Sequence, residues 1–181
     1  MKSKESKNLV YIAGCLIIMS IWLIVCVGEL SAFSLLRYAL LIALSYIAMI
    51  LDINTKRIPN TLVLLMLAGW LIMGIPMLII DTENGIRLLV DSLSGLLIGG
   101  GLFLLVYIVS RKGLGGGDVK FMAAVGLYLG FAKTVPAILY GTVLAAITGL
   151  ILMLLKKIKR KDSIPLAPFL FAGIMIAVFL P

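Results

Sequence analysis

The 181-residue chain contains no histidine. That absence excludes an HExxH zinc site and any Ser-His or Cys-His dyad, since each needs an imidazole as metal ligand or base. Only two cysteines are present, Cys15 and Cys26, both in the first apolar run and neither in a CxxC pair. On one helix they would stand about 16 Å apart along the axis, so they read as small apolar packing residues rather than a disulfide. Charge is scarce as well: 13% of residues are charged and only eight are acidic. Chemistry in this chain must therefore rest mainly on Asp, Glu, Lys, Ser or Tyr.

Apolar residues are abundant instead, at 62% of the chain, with a mean hydropathy of +1.20. Soluble domains are only about half apolar, so this composition points to lipid. The net charge of +8 does not imply nucleic acid, because the basic residues sit in short clusters between long apolar runs, as in the cytoplasmic loops of membrane proteins. A helix needs about 20 apolar residues to cross a bilayer core. Runs of that kind extend over Leu9–Gly28, Ser34–Leu51, from Pro59 to Ile80, Leu88–Ser110, Thr134–Leu155 and Ile164–Leu180. A further stretch, Phe121–Ala132, covers only about 18 Å as a helix. If it crosses, every basic residue except Arg37, Arg87 and Lys133 falls on one side; if it does not, the KKIKRK cluster breaks the positive-inside rule. The expectation is an all-α, polytopic membrane helix bundle of about six to seven transmembrane helices. Residues 1–8 form a basic cytoplasmic flank and residues 9–181 one transmembrane domain, with the C-terminus outside.

Among the acids, Glu5 and Asp162 lie in charged flanks, and Glu29, Asp81 and Glu83 in external loops. Asp91 lies one turn inside the fourth run, where it can snorkel or pair with Arg87 at i−4. Asp52 and Asp118 differ: each stands at the edge of an apolar run, and two crossings separate them, so both return to the cytoplasmic face. Acids at such positions are costly and mark function. Asp52 is followed by INTKRIPN, where Pro59 biases Ile58 away from helix and opens the next one. Asp118 is preceded by Gly115-Gly116-Gly117, which permit positive φ and close backbone approach. Two carboxylates sharing one proton supply both the base that activates a water and the acid that protonates a leaving amine.

Three segments carry a resemblance. DINTKRIPN (Asp52–Asn60), GGGDVK (Gly115–Lys120) and IPLAPFLFAG (Ile164–Gly173), with GLYLG (Gly126–Gly130), resemble in order the motifs of the type IV prepilin peptidases, over residues 35 to the end. The resemblance implies a GxGD-type intramembrane aspartyl peptidase with Asp52 and Asp118 as the catalytic pair and Gly115, Gly117, Lys120, Pro59 and Asn60 shaping the site. No metal or cofactor is implied. The implied substrate is a prepilin or pseudopilin with a short basic leader and a hydrophobic helix, cut at the cytoplasmic face of a prokaryotic cytoplasmic membrane. Many bacterial members carry an N-terminal insert with paired CxxC motifs linked to N-methylation. Nothing like it stands here, so peptidase without methyltransferase is expected.

Two other readings compete. A non-catalytic membrane component of a pilus or secretion assembly system would also hold intramembrane acids. A Ser-Lys hydrolase would use Ser45 or Ser94, though neither has a lysine near it in sequence. Gly95 and Gly99 have GxxxG-like spacing, which permits close helix packing and suits contact inside the bundle better than a dimer seam.

Overall fold

The computed structural model describes residues 2–26, 31–110, 114–157 and 164–179. Glu29, Arg111, Lys112, Asp162 and the end of the KKIKRK cluster lie outside the described residues. Six helices follow in order: α1 (Lys2–Cys26), α2 (Ala32–Thr55), α3 (Asn60–Ile80), α4 (Thr82–Val109), α5 (Gly116–Leu154) and α6 (Ala167–Phe179). There is no strand among the described residues. Four helices, α2 to α5, are long and apolar enough to cross a membrane, and α1 and α6 carry shorter apolar segments. Large apolar side chains face outward along them: Ile72, Ile80, Leu97, Val109 and Leu154 are each mostly exposed. Water would not tolerate so continuous an apolar surface; lipid does. The chain is an all-α membrane bundle.

The helix boundaries follow local chemistry. Ser31 caps α2, its hydroxyl accepting the Ser34 N–H at 3.3 Å. Pro59 stands in an extended conformation immediately before α3, where its missing N–H costs nothing. Helix α1 begins within the basic flank rather than at Leu9.

The short fifth run and the sixth run are one helix by hydrogen bonding, interrupted at Gly130 (φ 70°, ψ −175°). That interruption reverses the chain. Before it, the helix runs antiparallel to α4, with Gly126 against Gly95 and Met122 against Gly99. After it, Thr134 lies against the same Gly99, and Ile138 and Thr142 share a cavity with Leu102, Phe103 and Val106, so residues 131–154 run back alongside α4. Seven helical legs result. The first half of α5 is longer than the apolar run Phe121–Ala132 because Gly116–Lys120 already belong to it. Residues 116–129 span about 21 Å.

Small residues make this three-layered contact possible. A Cβ on Gly95 or Gly126 would meet the other's backbone, so α4 and α5 touch main chain to main chain. Gly95 and Gly99 thus pack inside the bundle. Asp91 takes part: its Oδ1 accepts the Phe131 N–H at 2.9 Å, capping the returning leg of α5. Of the two roles open to Asp91 in the sequence, pairing with Arg87 does not occur, since Arg87 binds Glu83 instead at 2.6 Å on the exposed face. A backbone donor freed by the helix break is the stronger claim on a part-buried carboxylate, because water cannot satisfy it there. Polar ties cross the core too. Tyr128 Oη donates to Met66 O at 2.7 Å, and Trp70 Nε1 to Ser92 Oγ at 3.2 Å.

Candidate active site

Helix α2 ends just after Asp52. Lys56 adopts the left-handed conformation (φ 52°, ψ 33°) and its N–H closes on Asp52 O at 2.8 Å, a common helix stop. Thr55 Oγ1 holds the turn, donating to Leu51 O at 2.8 Å and lying 3.1 Å from Arg57 O. Pro59 then keeps Ile58 out of helix. Ile58 is buried, and it is what the glycine segment meets. A Cβ on Gly117 would lie 3.2 Å from Ile58 O and 3.4 Å from Ile58 Cβ, so Gly117 lets the start of α5 settle onto the turn after α2.

Asp118 sits in the first turn of α5, its N–H donating to Gly115 O at 3.1 Å. A Cβ on Gly115 would fall 2.8 Å from Asp118 Oδ2, whereas one on Gly116 would meet nothing. Gly115, Gly116 and Gly117 therefore do not act through positive φ; among the described glycines that conformation occurs only at Gly130. Gly115 clears space for a carboxylate, Gly117 clears space for a neighbouring backbone, and Gly116 is under neither demand.

Asp52, Lys56, Arg57, Ile58, Gly115, Gly116, Gly117 and Asp118 together surround one cavity of about 410 Å³. Asp52 is buried at 5% exposure, and Asp118 is half-buried. Asp52 Oδ2 accepts the Ala167 N–H at 2.9 Å, so the first residue of α6 orients it. Neither the sequence pattern nor residue chemistry pointed to this donor. Its trace is the pair of prolines in IPLAPF: Pro165 and Pro168 flank the α6 start and leave Ala167 as an available backbone donor. Lys120 and Asn60 lie at the edge of the site, where Lys120 Nζ donates to Asn60 Oδ1 at 3.1 Å. That bond joins the start of α3 to the start of α5. Pro59 borders an adjoining cleft with Asn60 and Arg57. The structure thus brings the selected residues of two motifs, Asp52–Asn60 and Gly115–Lys120, next to one another and adds Ala167 from a third stretch of chain.

Ser45 and Ser94 are not part of this arrangement. Ser45 is fully buried with its hydroxyl unpartnered among the described residues, and Ser94 Oγ donates back to Asp91 O at 2.7 Å.

These features define a helical membrane protein in which two aspartates from different helices face one cleft. The sequence of residues 35–150 matches the type IV leader peptidase family. The prepilin leader peptidase/N-methyltransferase of Legionella pneumophila is 33% identical over 152 residues, covering 81% of this chain and 49% of that protein. The protein of the same name from Escherichia coli (strain K12) is 32% identical over 132 residues, covering 70% of this chain and 55% of that protein. A third, from Bacillus subtilis (strain 168), is 25% identical over 136 residues, 75% of this chain and 52% of that protein. The chain belongs to the type IV leader peptidase family. It spans about half the length of the curated relatives it matches. No solved structure matches it.

Proposed function

We propose that this chain is an aspartyl endopeptidase that removes the short basic leader from type IV prepilins or pilin-like precursors. The observation that carries the reading is the shared cleft: Asp52 and Asp118 face one cavity, and Asp52 is oriented by a backbone donor from a third element. Hydrolysis needs no further group. One carboxylate takes a proton from a water molecule, whose oxygen bonds to the scissile carbonyl carbon. The protonated partner gives its proton to the leaving nitrogen as the C–N bond breaks. The products are a carboxylic acid and an amine, which ionise to carboxylate and ammonium, and the pair has again one proton between two acids.

The site lies at an end of the bundle, at the junction of α2, α3, α5 and α6. Together with the clustering of basic residues around it, this supports a multi-pass protein of a prokaryotic cytoplasmic membrane. In that orientation residues 1–8 and the catalytic turns face the cytoplasm, the C-terminus faces outside, and residues 9–181 form a single peptidase domain. Gly115, Gly117, Lys120, Pro59 and Asn60 hold the two turns together. The chain has no CxxC pair, which supports cleavage without N-methylation by these residues.

The test is cleavage of a panel of leader-bearing pilin precursors by the purified protein in liposomes, with Asp52→Asn and Asp118→Asn alongside and folding checked for each. Cleavage by the wild type and its loss in both variants is expected, with no methyl transfer from added S-adenosylmethionine. Cleavage that survives both substitutions sinks the aspartyl mechanism. Wild-type protein inert toward every precursor would favour the reading as a non-catalytic pilus or secretion component.

A further inference from the structure

Three basic residues stand apart from the basic loops of the sequence: Arg37, Arg87 and Lys133. The fold gathers them at the other end of the bundle from the aspartate cleft. Arg37 lies about 22 Å from Asp52 along the axis of α2. With Arg87, Ser31, Ser34, Asn84 and Asp91 it lines a cavity of about 510 Å³. Lys133 Nζ is 5.9 Å from the centre of the Tyr38 ring, over which Arg37 Cζ also lies at 4.9 Å.

Arg37 is the unusual member. It is 9% exposed. Its one hydrogen bond runs from Nη2 to Tyr38 Oη at 3.1 Å, and Nε has no partner among the described residues. A guanidinium offers five N–H donors, and a buried one with so few acceptors is costly unless an anion joins it. Neither acid nearby bonds Arg37. Asp91 Oδ1 holds the Phe131 N–H, and Glu83 holds Arg87 on the exposed surface. The cavity thus presents a desolvated guanidinium, a second at its mouth, two serine hydroxyls and an amide, against the single carboxylate of Asp91. Planar guanidinium donors with hydroxyls around them suit a tetrahedral oxyanion. Leu36 and Ile86, the residues before Arg37 and Arg87 in sequence, are each at least half exposed, apolar surface available to acyl chains.

We propose that this cavity binds a phosphate group, with Arg37 as its main ligand and Arg87 at its mouth; in a membrane the phosphate is that of an anionic phospholipid headgroup. The site is independent of the peptidase reading and of the aspartates. The test uses the purified full-length protein in a nonionic detergent, titrated with dioctanoyl phosphatidylglycerol, inorganic phosphate or dioctanoylglycerol, which has the chains but no phosphate. Thermal unfolding and native mass spectrometry report binding.

Phosphatidylglycerol is expected to raise the unfolding midpoint saturably and to bind one-to-one, and dioctanoylglycerol to do neither. An equal effect of inorganic phosphate would identify the free anion as ligand, and an effect of the lipid alone the headgroup; both support the site. Arg37→Gln should weaken the apparent affinity at least tenfold and Arg37→Lys less. Arg87→Gln combined with Ser34→Ala should weaken it about threefold, and decides the matter if Arg37→Gln does not fold. Lys157→Gln, in an exposed basic loop, should change nothing. The proposal is overturned if dioctanoylglycerol acts as strongly as the phospholipid, if no ligand binds, if the cavity variants keep wild-type affinity, or if Lys157→Gln loses as much as they do.

Discussion

Asp52 stands near the end of α2 and accepts the N–H of Ala167, where α6 begins. Asp91 stands near the start of α4 and accepts the N–H of Phe131, where the second leg of α5 begins. Both are acids in apolar helices, and both satisfy a backbone donor at the start of a helical leg. What differs is the space on the carboxylate's other side. Gly130 closes one side of Asp91, so near that any Cβ there would overlap the carboxylate, and the cavity on its other side is lined by Arg37 and Arg87 with no second acid. Asp52 also faces a cavity, and across that cavity is a second acid, Asp118. An acid within a membrane helix is therefore not by itself a site: one donor and open volume without a second acid leave it structural, and one donor, open volume and a second carboxylate make it chemical.

The sharpest way to break that comparison is to neutralise each acid without changing its shape. Asp52→Asn or Asp118→Asn should lower cleavage of a leader-bearing precursor by about a thousandfold, the range expected for loss of an essential acid or base. Asp91→Asn keeps an acceptor for the Phe131 N–H, so its cleavage rate should stay within about threefold of wild type, the scale of a modest perturbation outside the reacting groups. Equal losses at Asp91 and Asp52, with all proteins folded, would mean that the two acids belong to one functional path and that the division drawn here is wrong.

The next effect is on stability. Gly130→Ala must place a side chain at φ 70° and also displace the Asp91 carboxylate. Left-handed backbone costs an L-residue about 1–2 kcal/mol and forced overpacking about 1–3 kcal/mol more. The variant should unfold at a clearly lower temperature, with Asp91→Ala alone losing less, about 1 kcal/mol as for a lost helix cap. A Gly130→Ala protein as stable as wild type would show that the reversal does not depend on that residue.

The comparison also bears on what the sequence made legible. Long apolar runs with basic flanks marked the spans, because lipid imposes one composition and one minimum length on every crossing. Asp52 and Asp118 were legible because they stand at run edges beside proline and glycine. A reversal between residues 121–132 and 134–155 was legible from the distribution of basic residues, but its place at Gly130 was not, because a single glycine within an apolar run signals no turn. The structural role of Asp91 was legible but its partner was not: an arginine stands one helical turn away, whereas the donor that claims the carboxylate lies 40 residues on. Ala167 had no signal of its own, since a backbone N–H is the same in every residue but proline.

Within the aspartate cleft the three consecutive glycines offer a finer contrast. Gly115→Ala would push a methyl group against Asp118 Oδ2, and Gly117→Ala would press on Ile58, while Gly116→Ala meets open space. A misplacement of about 1 Å can cost as much as a hundredfold in rate. Cleavage should fall about tenfold or more for Gly115→Ala, less for Gly117→Ala because its Cβ would not meet the Asp118 carboxylate, and under about twofold for Gly116→Ala, with the ranking set by displacement of the carboxylate. Equal losses across the three would mean that the segment acts through flexibility rather than clearance.

The smallest effect belongs to a fourth acid, which caps a helix in water as Asp91 does inside the bundle. Asp81 precedes α4; Asn84 donates to it from its side chain at 2.7 Å and from its backbone at 3.2 Å. Those bonds, the side-chain one foremost, hold the Asp81 carboxyl below its ordinary range. A lowered carboxyl favours the folded state above the pH at which the unfolded chain takes up its proton, and loses that contribution as pH falls through its own lower value. Asn84→Ala removes the side-chain donor and leaves the backbone one. The variant should therefore unfold at a slightly lower temperature than wild type near neutrality, and the gap should close as the solution is made acidic enough to protonate Asp81 in the folded protein. A gap that persists unchanged through that range would assign Asn84 a packing role instead, and the likeness between the cap in water and the cap in the bundle would then rest on geometry and not on charge.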